Sequence, residues 1–155
     1  MHSAEVNWMP PDDRLIYLIF TAQQKLRTHL GNVMVRENVR VTPAQAGILF
    51  LLAEKDGRTM SELSRILSID NSTLTGLVDR LEKAGLARRD ASPNDRRASH
   101  VYISPEGTRE MKKARSIVGR VNREITDGFT PEELTSFKKI LRSFFHKFDT
   151  GSQQG

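Results

Sequence analysis

The sequence predicts a mainly α chain with one small β-hairpin, and three observations carry that prediction. First, three helix starts are written in nearly the same way: Thr42-Pro43-Ala44-Gln45, Ser104-Pro105-Glu106 and Thr130-Pro131-Glu132-Glu133. Each places a hydroxyl at the N-cap and proline at the first helical position, where its fixed φ suits a helix and its missing N–H leaves no bond unmade. Second, apolar residues recur at intervals of three and four through most of the chain. Third, the one stretch with strand-like alternation lies around a single polar loop, in residues 86–104.

Taken in order, the first helix runs from about Asp12 to Arg36, with Leu15, Leu18, Ile19, Ala22, Leu26 and Val33 at helical spacing. The second, Pro43 to Glu54, opens with a capping box closed by Gln45. It is dense in apolar residues (Ile48, Leu49, Leu51, Leu52), which predicts burial, and stops at Asp56-Gly57. A third helix of about two turns begins after Thr59, which with Glu62 forms another capping box, and carries Leu63, Ile66 and Leu67 on one face. Ser68-Ile69-Asp70 interrupts it. Asp70 caps a fourth helix, Ile69 and Leu74 are placed as a hydrophobic staple, and Leu74, Leu77, Val78 and Leu81 form the inner stripe. Gly85 supplies a left-handed stop.

Strands follow at Leu86–Asp90 and Ser99–Ser104 around the polar loop Ala91–Ala98, with Val101 and Ile103 alternating inward. A fifth helix from Pro105 to about Asp127 carries Met111, Ala114, Val118, Val121 and Ile125. The last, Pro131 to about Phe148, carries Leu134, Phe137, Leu141, Phe144 and Phe148, widened by Ile140 and Phe145. Such stripes are seams of helices packed at a shallow angle. Spacing alone suits an intramolecular core, with an intermolecular bundle as the alternative. Residues 149–155 read as a disordered tail.

Composition narrows the classes. Hydrophobic residues make up 37% and charged residues 28% of the 155 positions, which suits a soluble core rather than disorder. No apolar run approaches the ~20 residues of a membrane span, and Met1–Asp13 lacks the pattern of a secretory signal. With no cysteine, thiolate metal sites and thiol redox sensing are excluded, and the expected location is cytoplasmic. The net charge of +5 favours polyanionic partners only weakly, since residues 58–97 carry 8 basic and 6 acidic groups, a balance of +2. His2, His29, His100 and His146 share no ligand spacing, and neither a P-loop nor a nucleophile elbow occurs, so no metal, cofactor or catalytic residue is expected.

Local placement says more. Two short helices joined by a tight turn make a helix-turn-helix. On the second, Asn71, Ser72, Thr73, Thr75, Gly76 and Arg80 lie outward when the leucines are buried. Serine and threonine are poor helix formers, and an unselected solvated face favours Glu, Lys and Ala. A slim, hydroxyl-bearing N-terminal end with an arginine in reach is what entry into the major groove requires. The hairpin adds Arg88 at its base and Asp95, Arg96 and Arg97 near its tip. Two arginines there can follow a phosphate backbone or enter a narrow minor groove, and Asp95 can hold one by a charge-assisted bond and aim it.

The ordered set Val41-Thr42-Pro43-Ala44-Gln45, Met60-Ser61-Glu62-Leu63-Ser64, Thr73 to Leu86, Asp95-Arg96-Arg97-Ala98 and Ile103-Ser104-Pro105-Glu106-Gly107 resembles the multiple-antibiotic-resistance regulator (MarR) family. The resemblance covers about Leu15 to Phe148. It departs from the family's usual threonine at Ser104, where a serine caps equally well. It implies a winged helix-turn-helix with N- and C-terminal dimerisation helices: a DNA-binding lobe at about 42–104 flanked by helices at about 12–36 and 105–148. It further implies a homodimer on a pseudo-palindromic operator in double-stranded DNA, with Arg97 as the minor-groove arginine, Asp95 its orienting partner, and Arg96 and Arg88 on phosphates. The function implied is a transcriptional repressor relieved by a small aromatic or phenolic effector, whose pocket residues the sequence does not indicate. The rival classes are a winged helix that docks proteins and, further off, an enzyme of unknown type.

Overall fold

The computed structural model describes residues 14–92 and 95–149, the side chains of 92–98 excepted. The element order is α1 (Arg14–Arg36), α2 (Pro43–Glu54), β1 (Arg58–Thr59), α3 (Met60–Leu67), α4 (Asn71–Lys83), β2 (Ala87–Ser92), β3 (Asp95–Ile103), α5 (Pro105–Thr126) and α6 (Pro131–Lys147). The fold is therefore mainly α with a small hairpin, as the sequence predicts. Two compact units, Met1–Val118 and Gly119–Gly155, divide within α5.

The local signals act as their chemistry dictates. Thr42 with Gln45, Thr59 with Glu62 and Thr130 with Glu133 each form a complete capping box. Ser104 caps α5 by its hydroxyl alone, which accepts the Gly107 N–H at 3.0 Å. Ser68 leaves α3 in the left-handed region at φ 52°, which turns the chain into α4 within two residues. In the first unit the core gathers Ile48, Leu49 and Leu52 of α2, Leu63 of α3, Leu74, Val78 and Leu81 of α4, and Leu86 and Val101 around the sheet, all essentially inaccessible to solvent. Burying each large aliphatic group stabilises the lobe by roughly 1.5–3 kcal/mol.

The structure corrects the sequence reading in four places. The strands reach beyond the expected Leu86–Asp90 and Ser99–Ser104, taking in most of the predicted loop, with Ser92 paired to Asp95 and an irregularity between Asp90 and Ser92. A two-stranded ribbon extending from the core satisfies its backbone groups by pairing alone, so its polar side chains do not betray it as strand. A further strand, β1, joins the other edge of β3, with Arg58 opposite Val101 and Thr59 opposite His100, giving the order β1-β3-β2. In α5 the buried stripe is Met111, Ala114, Ile117 and Val121; Val118 is half-buried and Ile125 exposed. In α1 only Met34 is buried, leaving Leu15, Leu18 and Phe20 more than half exposed. The assigned starts at Asp12 and the tail from Thr150 lie outside the described residues.

The end of α4 is tied to its surroundings by backbone. Gly85, at φ 73°, ends the helix with its N–H donating to the Glu82 carbonyl, while the Leu86 N–H donates to Leu81, both at 2.9 Å. The three carbonyls that follow are each met from outside: Ala84 by the Arg40 guanidinium at 2.7 Å, Gly85 by the Ser104 hydroxyl at 2.6 Å and Leu86 by the Ser104 N–H at 3.1 Å. Glu110, buried in α5, accepts the Arg40 N–H at 2.9 Å and pairs with Lys113 at 3.0 Å. Burial pushes the Glu110 carboxyl up, but these two donors outweigh it and hold the group below its ordinary value.

Gly107 lets this junction close. A Cβ there would lie 2.0 Å from the Leu86 carbonyl oxygen and 2.9 Å from Ile103. Gly107→Ala is expected to destabilise the protein by about 3 kcal/mol, because backbone rather than a flexible side chain must give way. Urea unfolding followed by circular dichroism checks this; a loss under about 1 kcal/mol contradicts the tight docking.

Candidate nucleic-acid interface

Helix α4 presents two faces. Leu74, Val78 and Leu81 are buried, while Asn71, Ser72, Thr73, Thr75 and Arg80 are exposed and Gly76 is half-exposed. The sequence-predicted outer face is thus brought together on one side of one helix. Its hydroxyls are not idle. Asp70 accepts the Thr73 N–H at 2.7 Å, the Ser72 hydroxyl at 2.7 Å and the Thr73 hydroxyl at 3.0 Å. The Thr73 N–H, followed by the two hydroxyls, holds the Asp70 carboxyl below its usual value. Its contribution to the cap is complete above the ordinary carboxylate range and is lost as the pH falls through the lowered folded-state value.

Two consequences follow for DNA. The start of α4, where orphan N–H groups attract phosphates, already holds the protein's own anion. Ser72 and Thr73 must give up Asp70 before donating to anything else. Thr75 differs: its hydroxyl donates to the Asn71 carbonyl at 2.8 Å, which leaves its lone pairs and its methyl for a base edge. Arg80 is exposed in the last turn of α4.

Gly76 has no packing reason to be glycine, since a Cβ there meets nothing within 4 Å. In a helix interior that choice costs roughly 0.5–1 kcal/mol relative to alanine. A bare backbone on the outer face of α4 is what close approach of another molecule needs.

At the hairpin base the two arginines divide. Arg88 pairs with Asp90 and lies over the Tyr102 ring, 4.5 Å from its centroid. The Asp90 carboxylate raises its pKa further, so it is a held, permanently charged group on an exposed surface. Arg89, which the sequence reading passed over, is drawn to α4 by Asp79 and Glu82. Asp95, Arg96 and Arg97 fall within β3 rather than in a loop, and their side chains lie outside the described residues.

The first unit also holds a pocket of about 420 Å³ that no sequence signal indicated. Leu26, Leu30, Leu67, Ile69 and Leu77 make it largely apolar, and Gln23, Arg27 and Thr73 are its polar side chains. It lies between α1 and α2 to α4, so Thr73 and Leu77 belong both to its wall and to α4.

Comparison with known proteins bears on this geometry. The MarR family model matches residues 41–99, the segment holding α2 to α4 and most of the hairpin. The HTH-type transcriptional regulator YsmB of Bacillus subtilis is 34% identical over 107 residues, covering 69% of this chain and 73% of that one. The chain belongs to the MarR family. The multiple antibiotic resistance protein MarR of Salmonella typhimurium is 28% identical over 137 residues, covering 88% of this chain and 92% of its own. Among solved structures, a mutant MarR from Escherichia coli complexed with operator DNA matches with a TM-score of 0.75 at 27% identity, covering 85% of this chain and 94% of that one. This MarR-family chain is a DNA-binding transcription regulator, with the winged helix-turn-helix fold that its sequence implies.

If Gly76 serves approach rather than folding, stability and binding move in opposite directions in Gly76→Ala. The variant is expected to gain roughly 0.5–1 kcal/mol in urea unfolding and to bind operator DNA more weakly in an anisotropy titration. Unchanged affinity contradicts a close backbone approach.

Proposed function

We propose that this MarR-family regulator reads a pseudo-palindromic operator as a homodimer, each protomer placing α4 in the major groove and its hairpin tip in the adjacent minor groove. The observation that carries this is the outer face of α4, with exposed Asn71, Thr75 and Arg80 around a glycine that nothing crowds. Thr75 and Asn71 read base edges, Ser72, Thr73 and Arg80 position the helix, Arg88 and Arg96 meet phosphates, and Arg97, aimed by Asp95, reads minor-groove width.

The dimer is built from α1, α5 and α6. Leu15, Leu18 and Phe20 of α1, Phe137, Ile140 and Phe145 of α6, and Phe148 just after it are each at least half exposed in the single chain. Apolar residues in such number are a partner's surface rather than a solvated one. The two-fold axis sets the recognition helices about one DNA turn apart. In this arrangement residues 42–104 form the reading lobe, and residues 12–36 and 105–148 hold the two protomers together.

The chain acts as a repressor released by a small aromatic anion in the pocket beside α4. Its volume and apolar lining suit one aromatic ring, and Arg27 supplies a carboxylate partner. Such a ligand releases DNA only by favouring a geometry with the wrong helix spacing.

Sequencing of duplex fragments retained by the purified protein tests the first claim; enrichment of an inverted repeat is expected, and no enrichment refutes sequence-specific reading. On that operator Arg97→Ala is expected to lose about 1–3 kcal/mol of affinity and the A·T preference of the flank. Unchanged anisotropy titrations exclude that role. A panel of hydroxybenzoates is expected to include one that weakens operator binding, with Arg27→Ala shifting its half-effect at least tenfold or so; an equal response in both proteins moves the effector elsewhere.

A further inference from the structure

Arg89 lies at the base of the hairpin with its side chain 28% exposed, on the strand face turned toward α4; its neighbour Arg88, at 62%, faces solvent. Its guanidinium reaches Asp79 Oδ1 at 2.7 Å and Glu82 Oε1 at 3.3 Å, and its backbone N–H donates to Glu82 Oε2 at 3.2 Å. Asp79 and Glu82 stand three residues apart, one turn along the side of α4. One arginine therefore spans two carboxylates of the recognition helix, and one of those carboxylates also holds the strand's main chain.

Charge argues against a phosphate-binding role. The cluster of one guanidinium and two carboxylates carries a net negative charge, and a half-buried arginine already held by two anions gains little from a third. Leverage argues for a geometric one. Arg89 and Asp90 lie opposite Val101 and His100, the last positions of β3 that also pair with β1; past them the hairpin continues as two strands of polar sequence, and two strands alone hold their direction poorly. At about 3.3 Å per residue the end of β2 at Ser92 lies some 10 Å past Arg89. A tilt of roughly 20° at its base would carry the tip about 3.5 Å, the rise of one base pair.

We propose that Arg89, with Asp79 and Glu82, is a positioning brace that fixes the offset between α4 and the hairpin tip and thereby sets the operator spacing this regulator accepts. The residue touches no DNA; it decides how far apart the major-groove and minor-groove contacts stand. The inference rests on the two-groove reading proposed above.

The test uses the full-length protein and the operator selected from random duplex. Binding is measured on that operator and on derivatives with one base pair inserted or removed between the α4-contacted core and the wing-contacted flank. Arg89→Ala and Asp79→Asn are expected to lose about tenfold on the parent operator, to discriminate against the altered spacings far less than wild type, and to keep the wild-type salt dependence. Arg89→Lys, whose single ammonium can stand where the one guanidinium nitrogen meets both Asp79 and Glu82, is expected to keep more of the wild-type spacing preference than Arg89→Ala. Should Arg89→Ala melt before it can be assayed, Asp79→Asn and Glu82→Gln, which retain the arginine, carry the same comparison. A salt slope reduced by about one makes Arg89 a phosphate contact and overturns the brace. So does an equal proportional loss on every spacing. Wild-type protein that selects no duplex sequence overturns the two-groove reading itself, a result distinct from any of these.

Discussion

Three successive carbonyls at the end of α4 are the point on which the reading lobe turns. Once Gly85 breaks the helix, the Ala84, Gly85 and Leu86 carbonyls have no helical partners left, and at buried Leu86 an unmet carbonyl is costly. Arg40 and Ser104 supply the missing donors from two different segments. Ser104 thus has three tasks: its hydroxyl caps α5 and donates to Gly85, while its N–H meets Leu86. Gly107 makes this possible by having no side chain where the Leu86 carbonyl sits. Through Arg40, whose N–H is held by buried Glu110, the start of α5 and the end of α4 share one hydrogen-bond network.

The electrostatics are organised by pairing more than by excess charge. Arg88 is matched with Asp90, Arg89 with Asp79 and Glu82, and the start of α4 with Asp70. These carboxylates lower the lobe's net charge, and with it the affinity available from counterion release. In exchange they hold arginines and hydroxyls in defined places. A protein that must distinguish one operator among many sites benefits more from geometry than from added phosphate attraction, since phosphate contacts carry no sequence information.

In the proposed function the pocket beside α4 links this reading surface to regulation. Thr73 is at once a wall of the pocket, a donor to Asp70 and a member of the outer face. Leu77 and Thr73 line that pocket from α4 itself, so the proposed effector would meet the proposed reading helix directly. The exposed apolar rows of α1 and α6 belong to a separate matter, the holding together of two protomers in the proposed dimer.

Much of the fold was legible because its signals are local. Capping hydroxyls, first-turn prolines and Gly85 act within a few residues of themselves, so Thr42, Thr59, Asp70 and Thr130 mark the helix starts they were predicted to mark. The outer face of α4 was legible for the same reason, being the complement of a leucine stripe. The rest depends on partners distant in sequence. Strand β1 is two residues long and exists only because β3 passes beside it. Ile117 rather than Val118 completes the α5 stripe, because the direction of the core, not the helix period, chooses between neighbours. Arg89 looked like one basic residue among several until Asp79 and Glu82, ten and seven positions away, were brought against it. The sequence by itself determined where the helices begin and end and which face of α4 is free. Only the tertiary structure decided which arginines are committed, where a pocket opens and how the hairpin is braced, because those properties arise between elements.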